Sequence, residues 1–414
     1  MTSRVSNFCA LATSMAAIMA GPALADDAPA ADAADAGPPG FKISGHLEAG
    51  ITLNPDGPDD RLNFGHLFTD KSNQLLLNQA LITAEQPLDP KATDYDFGFR
   101  FQAMYGTDSR YTHFLNEFDR SIADRNQFDI VEANVQAHLP WLTEGGVDVK
   151  LGQYATPIGF EVIDATANTF YSHSYIFNFG IPLKHTGGYF NAHVSDTLDI
   201  YLGGDTGVNT FVGKGDNNSA PAFLGGFGLN GLMDGKLTIL ALAHIGPENP
   251  SDTVGFNADT AVREIGDLVA TYKYSDELTL TTELNYIHDD GFEAQAFGIA
   301  QYASYTLNDM VTLSVRGELF RDDNGFFVAA FQNPLDFVDT ERGLTPKAPP
   351  IGGGKTTYGE VTLGAAFKAP IPDPLTLTIR PEVRVDGSLN STRPYIDSTQ
   401  SYQVTIGIDA ILAF

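Results

Sequence analysis

Cysteine is all but missing from this chain. Cys9 is the only one, and it lies in an N-terminal segment expected to be removed, so the mature protein has no thiol, no disulfide and no thiolate metal site. Charge is scarce as well: Asp, Glu, Lys and Arg make up 18% of the residues, against roughly 25% in soluble domains. The scarcest charges are the basic ones, 24 against 52 acidic residues for a net charge of −28. Nucleic acid is bound by cations that neutralise phosphate, so this balance excludes it as a partner. An acidic surface suits cations, including divalent ions that bridge to anionic outer-leaflet lipid and lipopolysaccharide, although plain solvation of acidic loops accounts for it equally well. Also missing is any apolar run of the roughly 20 residues that a membrane-spanning helix needs.

What is present begins with an address. Arg4, a short apolar run from Phe8 to Ala20, and Ala23-Leu24-Ala25 have the layout of a signal peptide, with cleavage expected after Ala25. Residues 26–40 are Ala, Asp, Pro and Gly without periodicity and read as a flexible linker. From Phe41 to Phe414 the chain alternates apolar and polar residues in short runs broken by Gly, Asp, Asn or Pro. About sixteen such runs are expected as strands, near 41–53, 73–85, 94–105, 127–139, 147–154, 184–194, 198–204, 222–232, 236–245, 263–274, 278–288, 294–306, 310–321, 358–368, 375–386 and 400–414. Tight links such as Ser195-Asp196-Thr197 and Asn308-Asp309 alternate with long acidic ones. The pattern is that of an all-β, transmembrane, up-and-down antiparallel β-barrel in the bacterial outer membrane.

Parity assigns faces to these strands. Leu377, Ile379, Val383 and Val385 oppose Arg380, Glu382, Arg384 and Asp386, and Val311, Leu313, Val315 and Leu319 oppose Arg316 and Glu318. Tyr95, Phe97, Phe99 and Phe101 likewise oppose Asp96, Arg100 and Gln102. A soluble β-sandwich could bury the same apolar faces, but strand length, strand number and the leader weigh against it. Tyr402, Val404, Ile406, Ile408, Ala410, Leu412 and Phe414 form one apolar face that ends the chain on an aromatic residue. That ending looks like the terminal-strand signal of outer-membrane barrels, which implies the barrel-assembly machinery as a partner through Phe414.

Chemistry-bearing motifs do not survive inspection. Gly226-Phe227-Gly228-Leu229-Asn230-Gly231 fits a dinucleotide fingerprint but sits within a strand, and Gly354-Lys355-Thr356 lacks the first glycine of a phosphate loop. Asp322-Asp323-Asn324-Gly325 and Asp216-Asn217-Asn218 lack the spacing of a Ca²⁺ loop, and the histidines show no paired ligand spacing. Adjacent His173 and Ser174 make no nucleophile and base pair. No catalytic residue, cofactor or metal site is expected.

One stretch breaks the alternation. Gly152-Gln153-Tyr154, Thr156-Pro157-Ile158-Gly159-Phe160-Glu161, Asn168, Phe170-Tyr171-Ser172-His173-Ser174-Tyr175, Gly180, Pro182 and His185-Thr186-Gly187 resemble the OmpL-like β-barrel porin family. The resemblance implies an outer-membrane barrel classed as a porin, and brings no catalytic residues with it. The stretch follows the fifth strand as the third outer loop, which by analogy with general porins folds inward. Glu161 and Asp164 would then face the lumen at a constriction, with Phe160, Phe170, Tyr171, Tyr175 and Phe177 packed on the inner wall. His173 and Tyr171 join them as constriction candidates, and the inward Arg100, Arg316, Arg380 and Arg384 would face the acids across a narrow aqueous gap. Pairing of these arginines with Glu318, Glu382 and Asp386 on their own wall is the alternative. The function expected is passive diffusion of small hydrophilic solutes or ions, without catalysis. A plugged barrel serving as an adhesin or structural anchor stands second, with specificity in loops 106–126 and 322–357, and an outer-membrane lipid hydrolase third. Self-association into a homo-oligomer is a further expectation.

Overall fold

The computed structural model describes residues 40–112, 114, 117–118, 125–213, 216–251, 255–328 and 354–414. The expected signal peptide, all but the last residue of the linker, and much of the last long connector, 329–353, lie outside the described residues. Sixteen strands follow one another: β1 (Lys42–Leu53), β2 (Leu75–Gln86), β3 (Asp96–Gly106), β4 (Gln127–Leu139), β5 (Val147–Ala155), β6 (Lys184–Ser195), β7 (Leu198–Asp205) and β8 (Ala222–Gly231) form the first half. The second half is β9 (Leu237–Pro247), β10 (Val262–Lys273), β11 (Leu278–Asp289), β12 (Ala294–Asn308), β13 (Val311–Asp322), β14 (Thr356–Ala369), β15 (Thr376–Ser388) and β16 (Tyr402–Ala413). The expected runs match them one for one, with ends agreeing within two residues.

Every strand pairs antiparallel with its sequence neighbours, and β16 returns to β1, so the sheet is a closed barrel without an edge. At the seam His46 lies opposite Ala413 and Leu53 opposite Ile406. Phe414 extends the ladder: its N–H donates to the Gly45 carbonyl at 3.0 Å and its carbonyl accepts from the Gly45 N–H at 3.2 Å. Connectors alternate in length. Those at 196–197, 232–236, 274–277 and 309–310 are short, while 54–74, 107–126, 156–183 and 323–355 are long and leave from the opposite strand ends.

The burial pattern inverts that of a soluble protein. Leu363, Leu202 and Leu151 are 58%, 54% and 52% exposed, whereas Arg316, Arg384 and Asp386 are fully buried. Alternation places the apolar residues outward and the charges inward, as a barrel in lipid requires. A twelve-residue strand such as β13, rising about 3.3 Å per residue and tilted by about 40°, covers roughly the 30 Å hydrocarbon core. No helix among the described residues is long and apolar enough to cross a membrane.

Candidate functional site

Residues 156–183 form the connector between β5 and β6, and their backbone has almost no regular structure to satisfy it. A 3₁₀ turn at Ala165–Ala167 and one π-helical turn at Ile176–Gly180 are its regular pieces. Amides that make no ladder must find acceptors elsewhere once buried. Here the acceptors are inward-facing glutamates. Glu283 on β11 takes the Phe160 N–H at 2.9 Å. On β13, Glu318 takes those of Tyr175 and Ile176 at 2.7 and 2.8 Å, and on β15, Glu382 takes those of Tyr171 and Ser172 at 3.0 and 3.2 Å. In the ring β13 stands diametrically across from β5, so these bonds join a segment rooted on one wall to the wall opposite.

The arginines supply the reciprocal bonds. Arg316 Nη1 donates to the Ser172 carbonyl at 2.8 Å, Arg384 Nη1 to the His173 carbonyl at 2.5 Å, and Arg380 Nη1 to the carbonyls of Ala165 and Asn168 at 3.0 and 2.6 Å. Glu161 lies at the centre. Its Oε1 accepts from Arg316 Nη1 at 2.7 Å and from the Tyr302 hydroxyl at 3.0 Å. Its Oε2 accepts from His173 Nδ1 at 2.8 Å and from the Ser174 N–H at 3.0 Å. Burial raises the pKa of this carboxyl, but the Arg316 and His173 side chains outweigh it and hold the group at about 2.

Placement of the remaining candidates is mixed. Asp164 accepts from the Thr166 N–H and hydroxyl at 2.9 and 2.6 Å, capping the 3₁₀ turn, and stands 3.7 Å from His46. Tyr171 is buried and its hydroxyl donates to Asn78 at 3.0 Å. Arg100 bridges Glu85 and Glu132 on the neighbouring strands, at 3.1 and 3.2 Å. Glu161 and Arg316 do not face each other across a gap: Arg316 is fully buried and touches Glu161 directly, with Glu360 on its other edge at 2.6 Å. The own-wall alternative holds for Arg384, paired with Asp386 at 2.7 Å. Arg380 pairs instead with Asp409 and Glu48 on the two seam strands. Glu318 and Glu382 accept backbone amides of the segment, a role that sequence reasoning missed along with Glu283. Their inward parity was the available signal.

The aromatics pack as a layer. His173 stacks on Phe177 at 4.0 Å, Phe177 meets Phe68 at 5.3 Å, Tyr175 stacks on Tyr358 at 5.2 Å, and Phe160 meets Tyr302 at 4.6 Å. Phe170 lies under the Arg316 guanidinium at 5.1 Å.

A closed sixteen-strand barrel with this lining is matched, over residues 40–414, by the family described as "Putative beta-barrel porin-2, OmpL-like". The chain belongs to this family. It is an outer-membrane channel of the passive-diffusion kind, as the porins are. Solved structures of outer-membrane proteins share its fold at low identity. The outer membrane channel DcaP of Acinetobacter baumannii is 12% identical, with 91% of this chain and 98% of that one covered at a TM-score of 0.55. The anion-selective porin from Comamonas acidovorans is 11% identical, with 91% and 99% covered at a TM-score of 0.55. The trimer form of OmpT from Vibrio cholerae is 10% identical, with 91% and 100% covered at a TM-score of 0.52. No curated protein matches the chain in sequence.

Proposed function

We propose that this porin passes small hydrophilic solutes or ions through a bore narrowed by residues 156–183 folded into the lumen. The observation that carries this reading is the set of segment amides accepted by inward-facing Glu283, Glu318 and Glu382 on the far side of the ring. Glu161 and Asp164, with His173 and Tyr171, would border the bore, and Arg316, Arg380 and Arg384 would fix the position of that border. The residues of the segment serve as structure, not catalysis: Ser174 Oγ accepts the Phe177 N–H at 3.0 Å, and His173 Nδ1 is engaged by Glu161. Conductance in planar lipid bilayers tests the reading. Folded protein is expected to give discrete cation-favouring openings, and charge reversal at Glu161 and Asp164 to move the reversal potential toward anions. Unchanged reversal potentials would remove both acids from the bore.

The burial of Arg316 and Arg384 favours a second reading, in which the segment plugs the barrel and the protein acts as an adhesin or anchor. Absence of any opening would select it. Cleavage after Ala25, insertion through recognition of Phe414, divalent bridging to lipopolysaccharide and assembly into a homo-oligomer complete the proposal. The last is supported by the trimer form of the similar OmpT barrel.

A further inference from the structure

Three side chains without a part in the channel reading meet where β6, β7 and β9 approach the long connectors. His185 is the second residue of β6, Asp205 the last of β7, and His244 lies near the end of β9. One ligand atom from each falls within 4.8 Å of the other two, the one such group of three among the described residues. All three side chains are fully buried. His185 Nδ1 stands 3.2 Å from Asp205 Oδ2, and His244 Nε2 stands 3.0 Å from Asp205 Oδ1.

The outer nitrogens also have polar neighbours. His185 Nε2 lies 3.0 Å from the Thr156 hydroxyl, and His244 Nδ1 lies 3.4 Å from Glu248 Oε1. A neutral imidazole carries a single N–H, yet His244 has a carboxylate at each nitrogen, so one lone pair would face an anion. Further, His185 Nδ1, His244 Nδ1 and Glu248 Oε1 are buried without a hydrogen bond. Unpaired buried groups of this kind are costly, and a cation between the rings and the carboxylate removes the conflict.

We propose that His185 Nδ1, His244 Nε2 and the Asp205 carboxylate form a binding site for a divalent transition-metal ion, Zn²⁺ being the best fit. Two imidazoles and a carboxylate are a zinc donor set, and donors about 2.0–2.2 Å from an ion stand roughly 3.0–3.5 Å from each other. Glu248 and Thr156 would hold the non-ligating nitrogens, the arrangement that orients metal-bound histidines in known sites. Gly187 permits the close approach: a Cβ there would come within 2.7 Å of the Asp205 side chain and 2.2 Å of the Gly204 carbonyl. Because Thr156 begins the connector 156–183 and His185 follows its end, the ion would brace both feet of that segment.

Zinc content of the whole folded barrel decides the matter, independently of any conductance. Protein refolded into detergent with Zn²⁺ and then desalted is expected to retain about one equivalent by elemental mass spectrometry. His185→Gln and Asp205→Asn should lose it, and Glu248→Gln, in a connector, should weaken retention about 10–100-fold. Wild-type barrel shown to be folded by heat-modifiable mobility but holding under about a tenth of an equivalent would overturn the site. So would equal loading in folded His185→Gln or Asp205→Asn. Should those two variants fail to fold, the wild-type and Glu248→Gln measurements still decide, and the cluster without zinc is a buried polar network only.

Discussion

Glu161 gathers four protein donors on one buried carboxylate, with Arg316, Tyr302, His173 and the Ser174 amide converging on two oxygens. Removing its charge leaves Arg316 buried with one of its two carboxylate partners. Glu161→Gln is therefore expected to lower unfolding stability by about 3 kcal/mol, measured by denaturant titration of the folded barrel. The pH dependence has a defined sign. A carboxyl held at about 2 in the folded chain, against about 4.3 when unfolded, contributes fully above that ordinary value. Its contribution fades as pH falls through the interval and is gone below about 2. Channel records should thus be insensitive to Glu161 from pH 7 to about 4.5. Between there and pH 2 the wild type should loosen while Glu161→Gln, already lacking the charge, changes little. A midpoint near pH 6 in single-channel recordings would contradict this assignment.

At the level of elements, the strands and the connector 156–183 have different relations to the sequence. The strands keep a period of two except where the register shifts, as between Glu48 and Ala49 or Gln102 and Ala103, because one face must meet lipid and the other the lumen, and that constraint is written locally. The connector is visible only as the place where the period stops. Its partners are not visible at all: the bond from Tyr171 to Glu382 joins residues 211 apart, and no local pattern records which inward acid accepts which amide. His185, Asp205 and His244 illustrate the same point, since the ladder brings together residues on strands β6, β7 and β9 that share no short spacing. The reciprocal bonding makes a specific demand. Charge-assisted hydrogen bonds contribute about 1.5–3 kcal/mol each, so Glu318→Ala with Glu382→Ala should release the connector without opening the strand ladder. Expected are a larger, noisier conductance and new protease cleavage within 156–183, at unchanged strand content by circular dichroism. Protection of the segment in the double variant would show that the arginine bonds, Glu283 and aromatic packing suffice to hold it.

For the molecule as a whole, closure is the decisive property, and the seam is where it can be tested. Gly45 faces the Leu81 carbonyl, which a Cβ would approach to 2.5 Å, and the Phe414 ring, at 3.0 Å. Gly45→Val should therefore reduce the folded, heat-modifiable fraction several-fold, while barrels that do close should conduct as the wild type does; normal yield would mean that the seam tolerates displacement. Closure also gives the connector 156–183 a mechanical meaning. A ring of strands resists stretching along its hydrogen bonds but bends readily in cross-section, so lateral pressure in a bilayer would tend to flatten it into an ellipse. If residues 156–183 narrow the bore as proposed, a segment rooted at β5 and β6 and bonded to β11, β13 and β15 would act as a diametral strut, fixing the width of the ring along one axis and leaving the perpendicular axis free to breathe.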